Sequence, residues 1–347
     1  MASIATITTL PSLLLSFAPK WLQSYQEPEP VNDIPKRYDP RDSTPAARFI
    51  PRIHPREAEV SAEVNGYFLK HWPFPNDKAR QKFVAAGFSR VTCYYYPLAL
   101  NERIAFACRL LTLLFLIDDL LEDMSLQDGS DYNERLILIS KNEATPDPNV
   151  PVEWITHDLW RDMRACDEEL ADEILEPVFT FMRAQTDKSR LSIKELGQYL
   201  EYRERDVGKA LLSALMRFSM ELHLDPEELS SVHEIEMNCS KHISVINDIF
   251  SWEKELKASQ MGHQEGSALC SAVSVLSSET ALSYAASKRV LWTMCREWEL
   301  VHEDLVRTRL QSTPACSKDL KAFMKGLEYQ MSGNEAWSRS TPRYNQV

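Results

Sequence analysis

Residues 110–123 read LLTLLFLIDDLLED, an apolar run that passes directly into four carboxylates. Ionised carboxylates beside such a run are costly to bury unless positive charge joins them. At helical spacing Asp118 and Glu122 lie one above the other, and Asp119 lies beside them. Clustered carboxylate oxygens suit Mg²⁺, which completes its shell with water and substrate phosphate. An acidic helix end is also commonly a solvated surface, so this stretch alone leaves both interpretations open.

A second set of oxygen-bearing side chains occurs in residues 247–255, NDIFSWEKE. Asn247, Ser251 and Glu255 are spaced by four, and each such step rises about 6 Å and turns the side chain by only about 40°. All three therefore share one helix face and can meet at one ion. Mid-helix Asn and Ser are poor helix formers, and they make more sense as neutral metal ligands. Two such faces on different helices predict metal ions bridged by a diphosphate.

Composition limits the class of protein. The 347 residues are 44% hydrophobic, which is enough for a sizeable core. A net charge of −12 argues against nucleic acid or an anionic membrane surface as partner. No run approaches the roughly 18 apolar residues of a membrane span. The seven cysteines are scattered and form no C-x-x-C pair, so we expect a reducing, cytoplasmic setting.

Helical periodicity dominates the chain from about residue 57 onward and predicts an all-α fold. Nine of the 19 prolines fall at or before Pro55, so residues 1–56 are predicted to be a proline-rich, disordered extension. Residues 57–347 are then one helical domain that ends in a C-terminal tail. Gly208 falls inside a helix predicted for residues 192–222, which indicates a kink, a close approach by a ligand or tight packing.

The two motifs together resemble the paired metal motifs of microbial class I terpene synthases. The resemblance extends through residues 202–209, residues 326–334 and the closing pair Arg343-Tyr344, and it covers about residues 57–345. It implies the class I terpenoid synthase fold, a helical bundle around a central active-site cavity. Members of this family are often dimeric, and the expectation of a homodimer rests on the resemblance alone.

The resemblance also implies ligands for three Mg²⁺ ions. Asp118 would bind two of them, and Asn247, Ser251 and Glu255 would bind the third. Asp119 and Glu122 would be supporting members of the first motif, with Asp119 pairing with Arg343 on closure.

Two further groups of residues are implied in the same way. The groups that hold the diphosphate would be Arg203, Lys254, Arg343 and Tyr344. The aromatic side chains that form the cavity wall would be Tyr95, Phe115, Phe181 and Trp337. Aromatic faces stabilise positive charge without offering a reactive lone pair, so they suit a carbocation. Asp206 and Val207 would link Arg203 to the kink at Gly208.

The implied activity is that of a sesquiterpene cyclase, a magnesium-dependent carbon–oxygen lyase. Farnesyl diphosphate would ionise and close to germacrene A. Reprotonation, a second ring closure, hydride and methyl shifts and proton loss would then give aristolochene. A related cyclase with another bicyclic or germacrene product is the first alternative, because small differences in cavity contour change which cation is quenched.

Two other classes of protein are less well supported. A prenyl diphosphate synthase would carry a second aspartate-rich motif, and here that position is taken by Asn247, Ser251 and Glu255. A non-catalytic helical protein that binds an apolar ligand would keep the aromatic pocket but would have no use for two metal-ligand faces.

Overall fold

The structure is a computed structural model that describes residues 46–261 and 268–345. Within these ranges the regular structure is helical and contains no β-strand. In chain order the α-helices are α1 Glu57–His71, α2 Asp77–Ala86, α3 Phe88–Tyr95, α4 Ile104–Leu121, α5 Leu126–Ser140, α6 Pro151–Cys166, α7 Glu168–Gln185, α8 Leu196–Asp206, α9 Lys209–Met220, α10 Pro226–Ser231, α11 His233–Met261, α12 Ala272–Thr280, α13 Tyr284–Gln311 and α14 Lys318–Ser340. A 3₁₀ helix, Lys188–Leu191, lies between α7 and α8. The predicted all-α fold is confirmed.

Helix α4 runs through the core and contacts α1, α3, α6 and α9. Its apolar residues face neighbours on most sides, and Ile104, Leu110 and Leu113 are almost completely buried. A helix that is apolar all round needs such an environment. The carboxylates follow only at its C-terminal end, where Asp118 and Asp119 are partly exposed and Glu122 caps the helix. The core therefore positions the acidic motif at the edge of the apolar interior.

Helix α11 carries the second motif and contacts α8, α12, α13 and α14. Both Ser251 and its neighbour Trp252 are buried, so the middle of this helix is also interior. None of the described helices combines the length and apolarity that a membrane crossing demands.

Two glycines in the left-handed conformation each separate two consecutive helices. Gly208, with φ of 70°, separates α8 from α9, and Gly87, with φ of 68°, separates α2 from α3. Glycine adopts this conformation without a Cβ clash. The single helix predicted over residues 192–222 is therefore wrong, whereas the kink at Gly208 is confirmed. A Cβ at Gly208 would also lie 3.1 Å from Cδ2 of Phe181, so the glycine allows close packing against α7.

The predicted extension, residues 1–56, lies mostly outside the described residues. Its described part, residues 46–56, contacts α13. Phe49 is buried with its ring edge-on to His302 at a centroid distance of 5.6 Å. The backbone N–H of Arg48 donates to Glu299 at 2.9 Å. Residues 46–56 therefore pack against the helical domain.

Gly333 allows α14 to approach α3, and its replacement tests that contact. A Cβ at this position would lie 2.7 Å from the carbonyl oxygen of Tyr94, a backbone atom that cannot rotate away. We expect Gly333→Ala to lower the free energy of unfolding by about 1–3 kcal/mol, as measured by urea denaturation. Gly66→Ala is the control. A Cβ at this position would have no described heavy atom within 4 Å, and alanine replaces a glycine in the interior of α1. It should raise stability by about 0.5–1 kcal/mol. Equal effects of the two substitutions would refute the close approach.

Candidate active site

Helices α4, α7, α8 and α11 and the C-terminal tail enclose a cavity of about 210 Å³. Most of the predicted site residues line it, namely Tyr95, Phe115, Asp118, Glu122, Phe181, Arg203, Asn247, Ser251, Lys254, Glu255, Arg343 and Tyr344. The fold thus brings together both motifs, three cations and an apolar wall. Asp119 and Trp337 are not among the lining residues.

The first motif presents three carboxylates in one place. Oxygens of Asp118, Asp119 and Glu122 all lie within 4.8 Å of one another. Two of these carboxylates are paired with cations from distant elements. Arg343 donates to both oxygens of Asp119, at 2.7 and 3.2 Å, and Lys254 Nζ donates to Glu122 at 2.7 Å. Asp118 instead accepts a bond from the neutral amide of Gln185 at 2.8 Å.

The pKa values of the two adjacent aspartates shift in opposite directions. Burial, together with the charges of Asp119 and Glu122, raises the pKa of Asp118 to about 6. Burial also acts on Asp119, but Arg343 and Lys254 outweigh it and lower the pKa of Asp119 below its ordinary value. Ionised Asp118 is therefore an unfavourable charge that a bound cation would stabilise.

The second motif lies on α11 and contains the buried hydroxyl of Ser251. Asn247 Oδ1 accepts a bond from Arg203 at 2.8 Å, and Asn247 Nδ2 donates to the Tyr344 hydroxyl at 2.9 Å. Ser251 is 2% exposed, and its hydroxyl, which lies near the Glu255 carboxylate, makes no hydrogen bond of ordinary geometry with a described residue. Burial and the charge of Asp248 raise the pKa of Glu255. A buried orphan oxygen is costly. A metal ion held by Asn247, Ser251 and Glu255 would supply its partner, so these residues fit a metal site.

Arg203 joins α8 to the second motif. Its guanidinium pairs with Asp206 and, besides Asn247, donates to Asp248 at 3.2 Å. Asp248 is fully buried and also accepts bonds from the Tyr199 hydroxyl and, at 2.8 Å, from the backbone N–H of Ala272. Asp206, which pairs with Arg203, lies two residues before Gly208, and the implied link from Arg203 through Asp206 and Val207 to that glycine stays a prediction.

The aromatic residues form two layers on one side of the cavity. Phe115 lines the cavity and stacks on Phe88 with ring centroids 4.6 Å apart. Trp337 lies behind this wall, 6.2 Å from the Phe115 ring and 5.3 Å from the Tyr344 ring. Its indole N–H donates to the carbonyl of Ala86 at 3.1 Å. Trp337 thus supports two lining residues, and its direct contact with a ligand stays a prediction.

Several residues of the site were missed by the sequence reasoning. They are Gln185, Arg190, Asp248 and Asn334, all of which line the cavity or bond to a predicted residue. Gln185 follows Phe181 by one helical turn, and Asp248 lies inside the second motif, so spacing could have identified both. Asn334, which accepts the hydrogen bond of the Tyr95 hydroxyl at 2.8 Å, lies in a stretch covered by the resemblance. Nothing in the sequence marked Arg190.

The fold and the cavity together define the chain as a metal-dependent terpene cyclase. The model of terpene synthase family 2, C-terminal metal binding, matches residues 109–299. The chain is 62% identical over 303 residues to (+)-aristolochene synthase TS1 of Penicillium expansum, covering 87% of this chain and 91% of that one. It is 59% identical over 322 residues to aristolochene synthase of Aspergillus terreus, covering 93% and 99%.

A solved structure agrees with these relatives. The crystal structure of aristolochene synthase from Penicillium roqueforti matches with a TM-score of 0.77 at 58% identity, over 86% of this chain and all of that one. The chain therefore belongs to terpene synthase family 2 and, within it, groups with the fungal aristolochene synthases.

The opposite pKa shifts of the two aspartates predict opposite effects on stability. Asp118→Asn should raise the free energy of unfolding of the metal-free protein at pH 7.5 by on the order of 1–2 kcal/mol, because it removes an unfavourable charge. The gain should shrink as the pH falls below about 6, where folded Asp118 is already protonated, and vanish below the ordinary aspartate pKa of about 4. Urea denaturation in a chelator at several pH values measures it.

Asp119→Asn is the matched control for this experiment. It leaves Arg343 without its carboxylate partner and should therefore destabilise the protein at pH 7.5. Destabilisation by both substitutions would show that Asp118 is not held in an unfavourable ionised form.

Proposed function

We propose that this protein converts farnesyl diphosphate to aristolochene and diphosphate with Mg²⁺ as its metal. One observation carries the proposal: two oxygen-rich faces, four cationic side chains and an aromatic wall line a single cavity. This combination suits a substrate with a diphosphate head and an apolar chain. The product is supported by relatives at 56–62% identity that are named aristolochene synthases.

Three Mg²⁺ ions are proposed, two of them bound by Asp118 and one by Asn247, Ser251 and Glu255. When bound, the ions act as Lewis acids that stabilise charge on the departing diphosphate. Asp119 and Glu122 have a supporting role that their contacts explain. Each holds one cation, Arg343 or Lys254, at the cavity.

The diphosphate would be held by Arg203, Lys254, Arg343 and Tyr344. Charge-assisted hydrogen bonds from guanidinium and ammonium groups are among the strongest available to phosphate oxygens. Arg343 and Lys254 are already fixed by carboxylates before a substrate arrives, so little reorganisation is needed. The Tyr344 hydroxyl accepts its bond from Asn247 and so keeps its own proton for a phosphate oxygen.

Ionisation breaks the allylic carbon–oxygen bond, whose electron pair leaves with the diphosphate oxygen. No protein nucleophile is required. Phe115, Phe181 and Tyr95 then exclude water and present aromatic faces to the cation. The Tyr95 hydroxyl is oriented because it donates to Asn334, whose own amide donates to the carbonyl of Ile243 at 3.1 Å. The resulting contour is proposed to favour closure to germacrene A and then to the bicyclic product.

Three further expectations stay predictions. A homodimer rests on the family resemblance, and a cytoplasmic location is favoured by the seven free cysteines. Residues 1–56 remain a proposed extension to the single helical domain of residues 57–347.

Incubation with farnesyl diphosphate and Mg²⁺, followed by mass spectrometry of a hydrocarbon extract, tests the proposal. Aristolochene is the expected main product, and a chelator should abolish its formation. A different cyclic sesquiterpene would support the alternative cyclase. Elongation that depends on isopentenyl diphosphate would favour a prenyl diphosphate synthase, and the absence of any product would contradict catalysis.

Substitution of one ligand tests the second metal face. Glu255→Gln should lower kcat by at least about a hundredfold, because the metal loses its charged ligand. Glu253→Gln is the control on the same helix. Its side chain is exposed and pairs with Lys288 away from the cavity, so turnover should be unchanged. Circular dichroism should show the same helical content in both variants, and wild-type turnover in Glu255→Gln would exclude Glu255 from the metal site.

A further inference from the structure

Arg190 is a cavity residue that the proposed function leaves without a role. It lies in the 3₁₀ helix between α7 and α8 and lines the same cavity as Arg203, Lys254 and Glu255. Its side chain is partly buried. A guanidinium in such a place needs either a counter-charge or several hydrogen-bond acceptors.

The other cations of the cavity all have carboxylate partners. Arg203 pairs with Asp206 and Asp248, Lys254 with Glu122, and Arg343 with Asp119. Arg190 donates only to two neutral backbone carbonyls within the described ranges, that of Gln185 at 3.0 Å and that of Ala268 at 3.4 Å. Its Nε is buried and has no hydrogen-bond partner in the part of the chain that the structure describes. Among the described residues, Arg190 is therefore the lining cation that forms no ion pair with a carboxylate.

Asp206, the carboxylate whose charge acts on Arg190, is already engaged by other residues. Asp206 accepts one bond from the Tyr202 hydroxyl at 3.0 Å and pairs through its other oxygen with Arg203. Burial alone would lower the pKa of Arg190, but the charge of Asp206 and the presence of Tyr202 raise it, so the guanidinium stays charged. An anion that enters the cavity can offer what Asp206 does not, an oxygen that is free to accept a hydrogen bond from the Arg190 guanidinium.

Gln185 connects Arg190 to the first metal face. Its side-chain amide donates to Asp118, and its backbone carbonyl accepts from Arg190. Gln185 therefore bonds both to Asp118, the predicted ligand of two metal ions, and to Arg190, the cation without a carboxylate partner among the described residues. The bond from Arg190 to Ala268 is the longer of the two and is the one that a phosphate oxygen can replace.

We propose that Arg190 is a further diphosphate-binding residue, which binds phosphate oxygens through its guanidinium. The fork of a guanidinium suits two neighbouring phosphate oxygens. In a chain with a net charge of −12, attraction of an anionic substrate depends on such local cations. The assignment rests on the proposed function, because it needs a diphosphate in this cavity.

Calorimetric titration with inorganic diphosphate at saturating Mg²⁺ tests the assignment. Arg190→Gln should bind diphosphate about tenfold more weakly than the wild type or worse, since a charge-assisted bond is lost. Arg190→Lys keeps the charge without the fork and should fall between the two. Arg183→Gln is the matched control on the preceding helix, because Arg183 pairs with Glu134 and does not line the cavity. Its diphosphate affinity should equal that of the wild type.

A purely structural role for Arg190 predicts a different pattern. If Arg190 served only to hold the Gln185 carbonyl, its charge would not matter. Arg190→Gln and Arg190→Lys would then lose the same diphosphate affinity and the same thermal stability in the absence of diphosphate. That result, or wild-type affinity in Arg190→Gln, would overturn the assignment. A wild-type protein that binds no diphosphate would instead overturn the proposed function.

Discussion

The cost of placing three carboxylates at the end of an apolar helix governs the arrangement of this site. Asp118 and Asp119 lie in the last turn of α4, and Glu122 caps that helix. Oxygens of the three carboxylates lie within 4.8 Å of one another. Such a cluster is stable only with compensating charge or donors. The fold supplies these from three separate places: Lys254 on α11, Arg343 in the C-terminal tail and the amide of Gln185 at the end of α7.

This compensation also prepares the site for chemistry. The same cations that neutralise Asp119 and Glu122 line the cavity where the proposed diphosphate binds. Asn247 shows the same double use, because the oxygen proposed to bind metal is already held by Arg203. Groups that are fixed before the substrate arrives need little rearrangement, which is the basis of electrostatic preorganisation.

A second acidic cluster shows why proximity alone does not define a metal site. His242, Glu299 and Glu335 are buried with possible ligand atoms within 4.8 Å of one another. Here, however, Arg296 pairs with both glutamates, and Arg339 donates to Glu335 as well. The charges are already balanced by protein cations, and the network instead joins α11, α13 and α14. The cavity differs because, among the described residues, Asp118 forms no ion pair and the Ser251 hydroxyl makes no hydrogen bond of ordinary geometry.

The sequence by itself determined the all-α class, predicted two faces of oxygen-bearing side chains and marked Gly208 as a point of kinking, ligand approach or tight packing. These features depend on short-range spacing, since residues four apart share a helix face and a glycine permits a left-handed turn. The family resemblance extended this to the activity. Only the tertiary structure decided that Lys254 pairs with Glu122 across 132 residues, that Trp337 lies behind the wall and that Arg190 reaches the cavity. These features depend on which distant elements pack together, and no local pattern records that.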